Sequence, residues 1–380
     1  MKLEEILEPV SNSLLAEASR QLPATIGRQV LPIIPGLTNI DEAEVLLLGV
    51  YAGESNSDWS PNEVRANLYK LFAPHGMKRV ADLGNISNNL SAEDHEKALE
   101  FISELCASQK KTLLVFSPDQ NNTFQLFKGI RSQRNDAGVA VIDNTLDMGT
   151  ILGANPAPKY LSKIMEDPSN EPMFMSVIGI QNYLTNPLDI ELSNKIYLEL
   201  LRLGDLRADL KGAEPILRDA NVVSFDMSAI RFADNPDCKS AGPNGLYAEE
   251  ACLLSRYAGF ADKVDVFALF GYFSSNTPQN ISLQLAAQLI WHFLDGHANR
   301  KREYPLTNTK KLQKFIVKLG KDDEELIFYK SKQTDRWWME IYSNKNKKNP
   351  QLVSCRYDDY QEASRQEVPY RWLWYYKKWN

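Results

Sequence analysis

Cysteine is scarce in this chain of 380 residues. The four cysteines are Cys106, Cys238, Cys252 and Cys355, and no two of them form a Cys-x-x-Cys pair. This excludes a disulfide framework and gives no zinc-binding pattern. Unpaired cysteines are typical of reducing compartments, so we expect a cytoplasmic protein.

Long apolar runs are also missing, because nothing approaches the roughly 18 consecutive apolar residues that a membrane span needs. The first 20 residues are acidic and amphipathic, without the basic and apolar regions of a signal peptide. We therefore expect a soluble intracellular protein without a membrane span.

Positive charge is lacking in the chain as a whole, whose formal net charge is −6. This argues against nucleic-acid binding by the whole protein. Residues 300–380, however, contain 19 Lys and Arg against 11 Asp and Glu, whereas residues 1–299 contain 24 against 38. The asymmetry predicts two units, an acidic body over 1–299 and a basic extension over 300–380.

Apolar runs of strand length alternate with amphipathic helices along the body. The runs are continuous, as in strands that are covered on both faces. We predict strands over 44–51, 78–84, 111–117, 138–143, 174–180, 221–226 and 263–271. We predict helices over 60–72, 91–108, 194–207, 245–259 and 282–296. This order predicts a three-layer α/β/α fold around a mainly parallel sheet.

The extension has a different pattern. Residues 300–311 are typical of a linker, 324–331 and 336–343 predict a β-hairpin, and a helix ends the chain. Five of the seven tryptophans lie here: Trp337, Trp338, Trp372, Trp374 and Trp379. They either pack the extension onto the body or form an interface for a protein partner. Binding of nucleic acid by this basic segment is a less favoured alternative.

Polar residues follow three of the predicted strands. Pro118–Asn122 follow the third strand, Asp143, Thr145 and Asp147 follow the fourth, and Asp226 and Ser228 follow the sixth. Because ligands of parallel α/β sheets bind at the carboxyl ends of the strands, we expect these residues to share one edge.

The order of motifs resembles the ureohydrolase superfamily of arginase, agmatinase and, most closely, formiminoglutamase. The similar stretches are GVYAGESNSDWSPNEVRANLYKLF, VADLGNI, VIGIQNYLTNP and SFDMSAIRFADNPDCKSAGPNGLYAEEA, together with the three strand ends, over roughly residues 40–298. The resemblance implies the arginase fold and, in the family, two Mn²⁺ ions held by two histidines and four aspartates.

The resemblance implies that three ligand positions remain, Asp143, Asp147 and Asp226. The family's first histidine falls on Gln120, its second on Thr145, and one aspartate on Ser228. The resemblance does not assign a catalytic residue. Asp147 is the position of this chain that corresponds to the family's catalytic site. Glu250 and Asn182 match substrate-binding positions, and Tyr160 lies roughly where arginases carry a proton-shuttling histidine.

Amide and hydroxyl oxygens are weaker ligands than imidazole for borderline metals such as Mn²⁺. The main hypothesis is therefore a pseudoenzyme without cofactors that acts as a scaffold or regulatory protein. The alternative is an active hydrolase of C–N bonds in guanidino or formimino compounds, with a single Mg²⁺, Ca²⁺ or Mn²⁺ held through oxygens. The resemblance also makes a homo-oligomer plausible, with the extension as a contact surface.

Overall fold

The computed structural model describes residues 1–33, 40–51, 60–149, 159–166, 171–271, 280–304, 312–320, 324–343 and 346–380. Motif residues 52–59, the loop 150–158 and the linker residues 305–311 lie outside this part of the chain. Among the described residues, no helix combines the length and apolar character of a membrane-spanning segment.

The body contains ten described strands. They are β1 (Leu7–Glu8), β2 (Leu31–Pro32), β3 (Val45–Gly49), β4 (Val80–Ile86), β5 (Thr112–Phe116), β6 (Gly138–Ile142), β7 (Phe174–Ile180), β8 (Glu199–Arg202), β9 (Val222–Asp226) and β10 (Val266–Phe270). Their order in the sheet is β1-β4-β3-β5-β10-β9-β6-β7-β8, with β2 paired to β4. Every described pairing except that of β1 with β4 is parallel.

Helices connect and cover these strands. Those described in the body are α1 (Leu3–Ile6), α2 (Asn12–Ser19), α3 (Ile26–Gln29), α4 (Pro61–Leu68), α5 (Ala92–Ser108), α6 (Asn122–Gln133), α7 (Tyr160–Glu166), α8 (Pro187–Lys195), α9 (Leu203–Ala208), α10 (Ala213–Asp219), α11 (Ala248–Phe260) and α12 (Ile281–Ala298). The Ser60 and Ser91 side chains cap α4 and α5 by accepting from Asn62 N and Asp94 N.

Two apolar cores lie on opposite faces of the sheet, because successive strand residues point to opposite sides. Leu47 joins the core with Val64 of α4 and Phe293 of α12. Leu46 joins the other core with Ile102 of α5. The predicted three-layer α/β/α architecture with a mainly parallel sheet is confirmed, and all seven predicted strands are present.

The prediction of one helix over 194–207 is wrong for the middle of this segment. Helix α8 ends at Lys195, Tyr197 adopts a positive φ of 55°, and Glu199–Arg202 form the edge strand β8. Strand β8 pairs in parallel with β7, so sheet pairing overrides the helix propensity of this leucine-rich segment.

A buried ion pair joins α4 to β4. The Arg65 guanidinium donates to both Asp82 carboxylate oxygens at 2.8 Å and to Asn85 Oδ1 at 2.6 Å. The Tyr69 hydroxyl also donates to Asp82, at 2.7 Å. Because every partner is buried, this network fixes α4 against the carboxyl end of β4.

The extension forms a second, antiparallel sheet. Its strands are β11 (Leu312–Leu319), β12 (Glu324–Ser331), β13 (Trp337–Ser343) and β14 (Asn346–Cys355), in the order β11-β12-β13-β14. The predicted hairpin is the central pair, β12 and β13. The sequence reading missed β11, β14 and the helix α13 (Tyr357–Ser364), which precedes the expected last helix, α14 (Tyr370–Trp379).

Buried charges attach the extension to the body. Arg371 on α14 donates to Glu199 at 2.7 Å and to Asp219 at 2.8 Å. Arg218 on α10 donates to the carbonyl oxygens of Trp337 and Cys355, at 3.0 and 3.1 Å. These bonds connect β8 and α10 to the second sheet, so the extension packs directly on the body.

The five tryptophans have unequal environments. Trp337 and Trp338 are 4% and 1% exposed, and Trp338 packs against the Arg218 guanidinium at 4.6 Å. These two pack the extension within this chain and present no surface, as the packing alternative predicts. Trp372, Trp374 and Trp379 are partly exposed around the same core, so an interface role for them stays a prediction.

We predict that Arg65→Ala lowers the free energy of unfolding by about 3–5 kcal/mol, because it leaves the Asp82 carboxylate buried without a cation. Arg79→Ala is the matched control, since the Arg79–Glu42 pair is exposed and should contribute less than about 1 kcal/mol. Urea denaturation measures both variants. Equal losses would show that the buried network does not stabilise the fold.

Candidate functional site

Three strands bring the predicted site residues to one edge of the sheet. Strands β5, β10, β9 and β6 are consecutive neighbours. Gln120 and Asp143 follow β5 and β6, and Asp226 is the last residue of β9. The expectation that these strand ends share an edge is therefore confirmed.

Asp143 directly follows β6 and is buried. Its backbone N–H continues the ladder by donating to Ile178 O at 3.0 Å. Its carboxylate Oδ1 accepts from the backbone N–H groups of Asn144 at 2.6 Å and Thr145 at 3.3 Å. The turn after the strand thus holds the carboxylate in one orientation.

Asp226 ends β9 and lies beside this turn. Its Oδ1 accepts from Ser228 N at 2.7 Å, and Asn144 Nδ2 donates to Ser228 O at 2.9 Å, which ties the ends of β6 and β9 together. Gly271 follows β10 with a φ of +75°, and a Cβ there would lie 2.1 Å from Asp226 Oδ1. Glycine at 271 therefore makes room for the carboxylate.

The three aspartates repel one another. Burial raises the pKa of Asp143 well above its usual range, and the negative charges of Asp226 and Asp147 raise it further. Burial also raises the pKa of Asp226, although hydrogen bonds from Ser228 oppose the shift. We call Asp143, Asp147 and Asp226 the acidic cluster.

A lysine supplies the positive charge beside the acidic cluster. Lys159 Nζ lies 2.5 Å from Asp147 Oδ1, and its charge also lowers the pKa of Asp226. The ammonium is half exposed, whereas the Asp147 side chain is mostly buried. The sequence analysis missed Lys159, because no motif connects it to Asp147 twelve residues earlier.

The residues at the three replaced positions make contacts within the protein. Gln120 is buried, and its Nε2 donates to Ser224 Oγ at 3.3 Å, while its Oε1 has no hydrogen-bond partner in the described structure. The Thr145 hydroxyl donates to Leu184 O at 3.1 Å. Ser228 is buried and bonds to Asp226.

Tyr160 begins α7 and is fully buried near the acidic cluster. Burial raises its pKa, and so do the negative charges of Asp143, Asp147 and Asp226, so its phenol stays protonated. The hydroxyl has no hydrogen-bond partner in the described part of the chain.

The two predicted substrate-binding residues lie on different elements. Glu250 caps α11, since its Oε2 accepts from Tyr247 N at 2.8 Å, and its Oε1 lies 3.5 Å from Arg207 Nε. Asn182 is exposed and opens the 3₁₀ turn Asn182–Leu184, whose last carbonyl accepts from Thr145. A substrate role for either residue stays a prediction.

Oxygen atoms dominate the donor set at this edge. In the described part of the chain, no group of three or more His, Cys, Asp or Glu side chains is arranged as a metal site. His297 contacts Thr112 at the opposite edge of the sheet, and His292 packs against Trp291 on α12. Carboxylate and amide oxygens at this edge include those of Asp143, Asp147, Asp226 and Gln120.

Comparison with known proteins identifies the fold. No known family model matches the chain, and no curated protein matches it in sequence. A formiminoglutamase of Trypanosoma cruzi with Mn²⁺ matches in structure with a TM-score of 0.61 and 20% identity, over 70% of this chain and 97% of that one.

Two further structures are similar. Formimidoylglutamase from Bacillus subtilis matches with a TM-score of 0.59 and 16% identity, over 71% of this chain and 94% of that one. Proclavaminate amidino hydrolase from Streptomyces clavuligerus matches with a TM-score of 0.55 and 17% identity, over 67% and 92%. The resemblance to the ureohydrolases is thus confirmed for the fold.

We predict that Asp143→Asn raises the free energy of unfolding at pH 7, measured in EDTA. Because the folded-state pKa of Asp143 is raised, the folded protein binds more protons than the unfolded chain, and stability falls as pH rises above about 3.9 towards the raised pKa. Asparagine removes this loss and still accepts the two backbone bonds.

The gain should shrink as pH falls towards about 4, where the Asp143 carboxyl of the unfolded wild-type chain also becomes protonated. Asp335→Asn is the control, because Asp335 is exposed and should change stability little at either pH. A less stable Asp143→Asn protein at pH 7 would contradict the prediction.

Proposed function

We propose that this arginase-fold protein has lost the two-manganese site and the amidinohydrolase activity, and acts as a scaffold or regulatory protein. The observation that carries the proposal is the Lys159 ammonium, 2.5 Å from Asp147. In a metal-bound site, the metal ions compensate the repulsion among the carboxylates. Here the Lys159 ammonium compensates part of this repulsion.

The donor set does not fit two Mn²⁺ ions. Such ions are well served by imidazole, whereas Gln120, Thr145 and Ser228 offer an amide and two hydroxyls. The Thr145 hydroxyl and the Gln120 amide nitrogen already donate within the protein. Each metal would thus lose its histidine, and no described histidine replaces either one.

A single hard cation is the second candidate. The Oε1 atom of buried Gln120 lacks a partner, and Asp143, Asp147 and Asp226 offer carboxylates, which suits Mg²⁺ or Ca²⁺. A bound cation would polarise a substrate carbon or activate water. The substrate would then be a linear guanidino or formimino compound, with Glu250 and Asn182 as its candidate contacts.

The extension provides the surface for the proposed non-catalytic role. Tyr370, Leu373 and Tyr376 are exposed at helical spacing, so they form one apolar stripe on α14. Trp374 lies partly exposed on the same helix. We infer that this stripe forms a contact between copies of the chain.

A cytoplasmic location is part of the same proposal. All four cysteines are free and buried, and none forms a disulfide. Burial raises the pKa of Cys106 to about 12, which leaves its thiol unreactive at neutral pH. Such cysteines suit a reducing compartment.

We predict that the purified protein with MnCl₂ will not turn over arginine, agmatine or formiminoglutamate, measured as urea or formamide released. Gln120→His, Thr145→His and Ser228→Asp, combined with Lys159→Met, should restore Mn²⁺ binding in calorimetry. The reason is that these changes supply the missing imidazoles and carboxylate and remove the competing ammonium.

The control variant is Gln120→Asn, Thr145→Ser and Ser228→Thr with Lys159→Met, which alters the same positions without adding ligands. A restored variant that folds but binds no more Mn²⁺ than this control would contradict the ligand assignment. Product formation above background by the wild type would contradict the loss of activity.

We predict that Tyr370→Asp with Tyr376→Asp converts an oligomer into a monomer, measured as molar mass by light scattering during size-exclusion chromatography. Leu22→Asp with Leu188→Asp is the control, because it alters exposed apolar residues of the body. A monomeric wild type, or a mass unchanged by the tyrosine variant, would contradict the contact.

A further inference from the structure

A cavity lies at the amino edge of the sheet, opposite the acidic cluster. Its volume is about 650 Å³, and Thr112 at the start of β5 contributes to its wall. Asn221 precedes β9, Asp265 precedes β10, and both line the same space. These residues precede their strands, whereas the candidate-site residues lie at the carboxyl ends. The cavity and the candidate site therefore lie at opposite ends of the strands.

The lining of this cavity is strongly basic. Seven Lys or Arg and four Asp or Glu line it, although the body as a whole carries 24 basic against 38 acidic residues. Three of the cations are neutralised by carboxylates: Arg134 with Asp265 at 2.5 Å, Lys263 with Asp136 at 3.3 Å, and Arg302 with Glu44 at 3.5 Å.

The other four cations are Lys78, Lys110, Lys111 and Arg300, and none forms an ion pair within the described residues. We call them the unpaired cations. The remaining acid, Asp262, accepts from the backbone N–H groups of Arg302 and Glu303, at 3.1 and 2.7 Å. The cavity thus keeps an excess of positive charge.

Neutral acceptors hold two of the unpaired cations in place. The Arg300 guanidinium donates to Gly259 O at 2.7 Å, Val264 O at 3.0 Å and Thr112 Oγ1 at 3.2 Å. Lys111 Nζ donates to Ala43 O at 2.7 Å and Asp41 O at 3.1 Å. Both cations are thus positioned by neutral oxygen atoms, and Arg300 is in addition attracted by the nearby carboxylates of Asp262 and Asp265.

The electrostatic field inside the cavity agrees with this arrangement. Burial lowers the pKa of Arg300 to about 10. Burial also lowers the pKa of His297 well below its usual range, and the charges of Arg300, Lys78 and Arg302 lower it further. An anion in the cavity would relieve the repulsion among these groups.

We propose that this cavity binds a small molecule that carries two or more phosphate groups. Its volume lies within the usual range of ligand pockets, roughly 300–1,000 Å³. Lysine and arginine are the side chains that bind phosphate most strongly, and the seven cations of the lining exceed its four carboxylates by three, which suits a molecule with several phosphate charges. This site is independent of the acidic cluster.

Isothermal titration calorimetry with inorganic tripolyphosphate tests the proposal on the full-length protein. The wild type should bind one equivalent, and Lys78→Ala with Lys110→Ala should weaken binding about tenfold or more, since two charged contacts are lost. Lys111 and Arg300 are left intact because they hold backbone carbonyls. Lys332→Ala with Lys377→Ala is the control, which removes the same charge from exposed positions outside the cavity and should change the affinity less than about twofold.

Citrate separates phosphate recognition from a general attraction of anions, and it should bind at least about tenfold more weakly than tripolyphosphate. Circular dichroism and thermal unfolding confirm that each variant is folded. Absence of tripolyphosphate binding, equal losses in the two double variants, or equal affinity for citrate would overturn the proposal.

Discussion

Repulsion among buried carboxylates is the constraint on which the candidate site depends. The sheet order places β6 beside β9, so Asp143 and Asp226 meet at the carboxyl edge, and Asp147 joins them one turn later. A protein can hold such a cluster only with protons, a lysine or a metal cation. Here burial and neighbouring charges raise the pKa of Asp143, and Lys159 binds Asp147 and supplies one compensating positive charge.

Charge also organises the rest of the molecule. Arg65 and Asp82 fix α4 to β4, and Arg371 with Glu199 and Asp219 fixes the extension to the body. These buried cations have carboxylate partners. Two cations at the amino edge, Lys111 and Arg300, differ because they donate to carbonyl and hydroxyl oxygens. The two edges of the sheet thus carry opposite excess charge.

The sequence predicts most of the fold, because buried parallel strands such as Val45–Gly49 and Gly138–Ile142 are continuous apolar runs. Strand β8 could not be predicted, because its apolar residues have helical spacing. The segment is extended because it pairs with β7. The candidate site divides in the same way. Strand ends and motif order locate Asp143, Asp147 and Asp226, whereas Lys159 depends on how the chain returns to Asp147, which no local pattern encodes.

We propose that the acidic cluster does not hold two manganese ions. Crystals grown with MnCl₂ and measured at the manganese absorption edge test it most directly. We expect no anomalous peak within bonding distance of Asp143, Asp147 or Asp226, and Lys159 bound to Asp147. Two anomalous peaks bridged by these carboxylates, with Lys159 displaced, would contradict the claim.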